Sequence, residues 1–123
     1  MSDVQEFVGN AHGGLDAVRA ALAANATLAN AAWDWGDGDW ETALGAAAHM
    51  GRRDIAELLL SYGARMDVFA AAMLGEVEIV GAILAAHPEM RDAKGPHGIP
   101  LLAHAEAGGE QASAVLELLN VRV

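Results

Sequence analysis

Apolar residues along this chain recur three and four positions apart, in short stretches separated by glycine. Ile55, Leu58 and Leu59 form one such stripe, Ile79, Ala82 and Ile83 a second, and Val115, Leu118 and Leu119 a third. That spacing places each set on one face of an amphipathic helix. The stretch Gly13-Gly-Leu-Asp-Ala-Val-Arg-Ala-Ala-Leu22 has the same form. Upstream of the glycines lie alanine-rich runs, Thr42 to Met50 and Val68 to Leu74. Alanine favours helix and lets a neighbouring helix come close, so each unit is predicted to be a helix, a glycine turn and a second helix. One segment is nearly written twice: Gly51-Arg-Arg-Asp-Ile-Ala-Glu-Leu-Leu-Leu60 returns as Gly75-Glu-Val-Glu-Ile-Val-Gly-Ala-Ile-Leu84. Such self-similarity is the mark of a stacked repeat architecture.

The segment from Glu41 to Ala64 resembles an ankyrin repeat. Thr42, Leu44, Ala47, Ala48, Gly51, Leu58, Leu59, Gly63 and Ala64 fall on that family's pattern. The resemblance implies an all-α fold, an ankyrin-type α-solenoid of about four helix-turn-helix repeats, at roughly 3–30, 40–66, 67–94 and 97–120, in a single domain over 1–123. In the third repeat Met66-Asp-Val68 runs straight into the helix and leaves no room for a full β-turn finger. The fourth keeps Pro100-Leu101, has His104 where an alanine is usual, and carries extra residues around Gly109-Glu-Gln111. The family also implies a function: a non-enzymatic protein-binding module that uses its concave face and finger loops. The Trp-Gly-Asp-Gly and Gly-Pro-His-Gly segments are similar to those of small bacterial single-domain ankyrin proteins, a likeness to which no activity is attached.

The joint between the first two repeats, 30–42, departs most from plain spacing and resembles an enlarged finger. It holds Trp33, Trp35 and Trp40 together with Asp34, Asp37, Asp39 and Glu41. Gly36, Asp37, Gly38 and Asp39 are turn formers, and Thr42 is placed to cap the following helix. Tryptophan is a favoured interface anchor, but these three could equally fold back over the first repeat; at least one is expected to be buried. The acids do not follow the alternating order of a calcium loop. A self-capping turn is the expectation, with no metal or cofactor assigned.

Histidines supply the other candidate chemistry. In Gly95-Pro-His-Gly-Ile-Pro-Leu-Leu-Ala-His104, the glycines and Pro96 read as a turn and Pro100 as the first turn of a helix. First helices line the concave face of the resembled family, so His49 and His104 are expected to face a common groove. His97 is expected to bond the finger backbone, and His12 and His87, near helix ends, to cap carbonyls. A second functional reading follows: a metal-dependent or ligand-binding protein built on His49, His97 and His104 with Asp37 and Asp39.

Charge narrows the partner. Asp plus Glu number 17 against 7 Lys plus Arg, a formal net charge of −10, which opposes nucleic acid and anionic lipid. A protein partner with a basic or neutral surface fits better. Arg52 joins the candidate contact residues, although Asp54 and Glu57 follow it closely. No apolar run approaches the ~18 residues of a membrane span, the first residues lack a secretory pattern, and there is no cysteine; a cytoplasmic protein is expected. Catalysis finds little support, because no serine sits in a strained glycine turn and no glycine-rich loop is followed by the Lys-Thr of a phosphate cradle. The apolar tail 118–123 motivates a third reading, a self-associating homo-oligomer.

Overall fold

The computed structural model describes residues 3–120. Its helices come in consecutive pairs: α1 (Asp3–Asn10) with α2 (Leu15–Ala24), α3 (Ala43–His49) with α4 (Arg53–Ser61), α5 (Val68–Leu74) with α6 (Val77–Ala86), and α7 (Leu101–Ala107) with α8 (Ser113–Asn120). The first members pack in series, α1 on α3, α3 on α5 and α5 on α7, while α2 meets α4 and α6 meets α8. The chain is thus mostly helical, as the periodicity predicts. The enlarged finger is not helical: β1 (Ala32–Asp34) and β2 (Trp40–Thr42) pair antiparallel, with Trp33 opposite Glu41.

Two kinds of sequence produce two kinds of helix. In α3, every residue from Ala43 to Ala48 is buried, as are six of the seven in α5, because each is enclosed by neighbours on both sides. Helices α4 and α8 bury only one stripe, Ile55, Ala56 and Leu59 in one and Val115 and Leu119 in the other. Phe7, Val18, Leu22, Leu44, Ile55, Leu59 and Met73 share one core cluster; Val68, Val80, Leu84, Leu101, Val115 and Leu119 share another.

Polar groups fix the helix ends. The Thr42 hydroxyl accepts the Gly45 N–H at 2.8 Å, as expected, and the Asp67 carboxylate does the same for Ala70 at 2.8 Å. Asp67 caps α5 immediately after the turn at Gly63, so the third unit has no finger, in agreement with the sequence reading. Arginines satisfy carbonyls at the opposite ends. Arg53 donates to Leu74 O at 2.7 Å, and Arg91 to Leu118 O and Leu119 O at 3.0 and 2.8 Å.

Two turn glycines are required by close approach. Gly75 ends α5 with φ 78°, and a Cβ there would lie 2.0 Å from Gln111 O. Gly51 has φ 66°, and its Cβ would lie 2.5 Å from Ala107 O. The second contact joins the second pair to the fourth, and α3 indeed touches α7 as well as α5. The four pairs therefore do not form a strictly nearest-neighbour row.

Pro100 differs from expectation. It precedes α7 with extended angles, φ −72° and ψ 160°, and bridges to Lys94. Residues 109–112, the extra segment of the fourth unit, form a short 3₁₀ turn between α7 and α8. The apolar tail runs beyond the described residues at 121–123; within them, Leu119 is buried in the second core.

Candidate functional site

Strand alternation decides the fate of Glu41. Successive residues of β2 point to opposite faces, so Trp40 projects outward at 62% exposure while Glu41 turns inward at 1%. A buried carboxylate must find partners, and Glu41 has four. At Oε1 it accepts the Trp35 indole N–H at 2.9 Å and meets His12 Nε2 at 3.2 Å. At Oε2 it meets His49 Nε2 at 2.9 Å and His97 Nε2 at 3.2 Å.

The three histidines come from separate elements. His12 lies in the turn after α1, His49 at the end of α3, and His97 in the Pro96–Gly98 turn before α7. Their rings pack edge to face, with centroids 5.1 Å apart for His12 and His49 and 5.5 Å for His49 and His97. The outer nitrogens of two of them are also engaged. His12 Nδ1 lies 3.1 Å from Val8 O and 3.0 Å from Gly9 O, and His97 Nδ1 lies 2.6 Å from Asp39 Oδ2. Asp39 Oδ1 accepts the His97 backbone N–H at 2.8 Å. These two hydrogen bonds hold His97 at φ 61°, a left-handed conformation uncommon outside glycine.

Electrostatics follow the geometry. Burial opposes ionisation of Glu41, but hydrogen bonds from His12 and His49, the His12 charge and the Trp35 N–H overcome it and hold its carboxyl well below the usual range. The Glu41 contact raises the pKa of His12 against the effect of its burial. Asp39 is lowered by the His97 backbone N–H and then by the His97 ring. One ligating atom from each of His12, Glu41, His49 and His97 lies within 4.8 Å of the other three. All four are of metal-ligating type.

Residues 39–70, from the hairpin through α3 and α4 into α5, match the ankyrin repeat family model. The chain carries an ankyrin repeat. No curated protein and no solved structure matches the chain. The matched span contributes Asp39, Glu41 and His49 to the cluster, whereas His12 and His97 come from outside it on either side. Ankyrin repeats are protein-interaction modules, so a general binding role comes with the match. Among the described residues, no helix is long and apolar enough to cross a membrane.

The remaining sequence candidates divide around this hairpin. Asp34 folds back to accept the N–H groups of Gly36 and Gly38 at 2.9 and 3.1 Å, the self-capping turn that was expected. Asp37 sits at the tip with φ 54° and joins no cluster. None of the three tryptophans is buried, contrary to expectation: Trp33 is half-buried, Trp35 is 38% exposed and Trp40 more so. A hairpin that projects from the first unit has too little protein on its outer face to cover them. Arg52 bonds Gly13 O at 2.9 Å and ion-pairs with Asp54, so it bridges the first two helix pairs.

His104 does not share a groove with His49. It is fully buried in α7, its ring tilted 48° against that of Phe69 with centroids 4.8 Å apart, with Nδ1 2.9 Å from Pro100 O and Nε2 without a partner among the described residues. The absence of a Cβ at Gly95, which would lie 3.2 Å from the ring, makes room for it. His87 is exposed and approaches Glu89 at 3.5 Å rather than a carbonyl. His12 caps carbonyls as expected, but its other nitrogen belongs to the cluster, which the sequence reading missed. The available signal was Glu41 itself: an acid directly before the capping Thr42, at an inward strand position, demands donors.

Proposed function

We propose that this chain is a single ankyrin domain over 1–123, an α-solenoid of four stacked units at about 3–30, 40–66, 67–94 and 97–120, that acts as a non-enzymatic protein-binding module. The sequential packing of α1, α3, α5 and α7 supports the stacked arrangement. The observation that carries the binding reading is Trp40, an indole left 62% exposed on a hairpin whose adjacent residue, Glu41, is anchored inside by four partners. A large rigid side chain on a fixed support binds with little loss of freedom. Trp33 and the acids Asp34, Asp37 and Asp39 flank it. With a net charge of −10, the fitting partner is a protein with a neutral or basic face, not nucleic acid. The cysteine-free composition suits a reducing compartment, and we place the module in the cytoplasm.

The test is affinity capture with the intact chain and with Trp40→Ala. A protein retained by the first and lost from the second, with equal helical content in both, supports the reading. Equal retention by both chains removes Trp40 and the hairpin from the interface.

A further inference from the structure

The cluster around Glu41 can be read without any ion, as a buried carboxylate wrapped in donors. Its proton inventory argues otherwise. A carbonyl or carboxylate oxygen only accepts, so Nδ1 of His12, facing Val8 O and Gly9 O, and Nδ1 of His97, facing Asp39, must both carry hydrogen. The Nε2 atoms of the same rings point at Glu41 oxygens, 3.2 Å away in each case. To bond there they must carry hydrogen too, which makes both rings imidazolium ions side by side, with His49 donating a third N–H into the same space.

A cation at the meeting point removes that requirement. Each ring keeps its proton on the outer nitrogen and turns a lone pair inward, and the carboxylate of Glu41 completes the set. We propose that His12, His49, His97 and Glu41 bind one divalent transition-metal ion of the zinc class, and that this ion fastens the hairpin and α3 to the first and fourth units.

Four structural features support the assignment. Donors bound to a common ion at about 2.1 Å lie roughly 3 to 3.5 Å from one another, and here all four ligating atoms fall within 4.8 Å. Outer-nitrogen contacts to backbone carbonyls and to a carboxylate are what orient metal-binding imidazoles and fix their tautomer; His12 has the first and His97 the second. The two negative charges of Glu41 and Asp39 balance a divalent cation, so the site is neutral with all three rings uncharged. Finally, His97 is held at φ 61° by two bonds to Asp39, an unfavourable backbone state that aims its ring at the cluster.

The donor set selects the metal. Three imidazoles and one carboxylate suit zinc, cobalt or nickel, while calcium and magnesium prefer oxygen. With four protein ligands none of the positions of a tetrahedral ion is left for water, so the site is structural.

The experiment uses the full-length chain without a purification tag, stripped with chelator and titrated with Zn²⁺ by calorimetry and with Co²⁺ by absorption. One ion per chain, a visible spectrum of low-coordinate cobalt and a rise in melting temperature with added zinc are expected. His97→Ala and His12→Ala, at partly exposed positions, should each weaken binding by about tenfold or more. Asp39→Asn, which touches the site only through His97, should weaken it by roughly 10 to 100-fold. His87→Ala, outside the cluster, should leave affinity unchanged. If His49→Ala or Glu41→Gln fails to fold, the His97→Ala and His12→Ala variants decide the matter alone. Absence of saturable one-to-one binding of either ion, or an unchanged affinity in His97→Ala, overturns the proposal.

Discussion

The ring of His97 lies 2.6 Å from one oxygen of Asp39, and its backbone N–H reaches the other oxygen at 2.8 Å, across 58 residues of sequence. The pair joins the finger before α3 to the turn before α7 and passes over the third unit entirely. Asp39→Asn removes the charge from both bonds and leaves an amide group facing two donors. The His97 amide should then exchange with solvent faster than in the parent chain, while amides in the middle of α3 and α5 keep their protection. Hydrogen exchange followed by NMR reads both.

Trp35 and Trp40 lie close in sequence but make different contributions. Trp35→Phe removes the indole donor from a buried, charged acceptor and should cost about 2 kcal/mol, whereas Trp40→Ala, on the outer face, should stay within about 0.5 kcal/mol of the parent. Urea unfolding of the two variants gives the comparison. A larger loss for Trp40 than for Trp35 would contradict the orientation of β2.

The turn glycines separate two effects of a Cβ. Gly75→Ala combines φ 78° with a Cβ 2.0 Å from Gln111 O, and should destabilise by on the order of 3 kcal/mol. Gly63→Ala has φ 95° but nothing within 4 Å, so only backbone strain remains and the expected loss is about 1 kcal/mol. Thermal or urea melts of both variants measure the difference.

His104 sets a pH dependence of opposite sense to that of His12. Burial lowers the pKa of His104 against the Pro100 carbonyl, which favours the charged ring; His49 also lowers it, and Asp67 raises it. A histidine lowered on folding contributes stability that is fully present above its ordinary value of 6.5 and is lost as pH falls through the folded value. His104→Leu keeps the apolar volume and cannot charge. Relative to the parent chain, the variant should therefore gain stability as the pH drops from neutral towards 5. Urea melts of both chains across that range check the sign, and a constant difference would place His104 in contact with solvent.

Helix pairing was legible because it is local. The three-and-four spacing around Ile55 and Ile79, the capping Thr42 and the missing third finger after Gly63 each follow from a few neighbouring residues. The cluster was not, because its members, His12, Glu41, His49 and His97, span four elements. Each alone reads as a capping ring or a surface acid. His104 was misplaced for a related reason: its spacing in α7 gave no indication of the Phe69 ring or of the space at Gly95. The tryptophans of 33–40 failed differently. At least one was expected to be buried by folding back over the first repeat, but a two-stranded hairpin at the edge of the molecule has one face with nothing to pack against.

A plain ankyrin array can be lengthened or shortened by whole repeats, since each touches only the next. The contact between Asp39 on the hairpin and the turn at His97 withdraws that freedom here. The turn at His97 meets Asp39 and Glu41 across the α5–α6 pair, so inserting or deleting a helix pair there would part the hairpin from the turn or force them into collision. The Asp39–His97 contact closes the chain across the α5–α6 pair, as a clasp rather than an extensible ribbon.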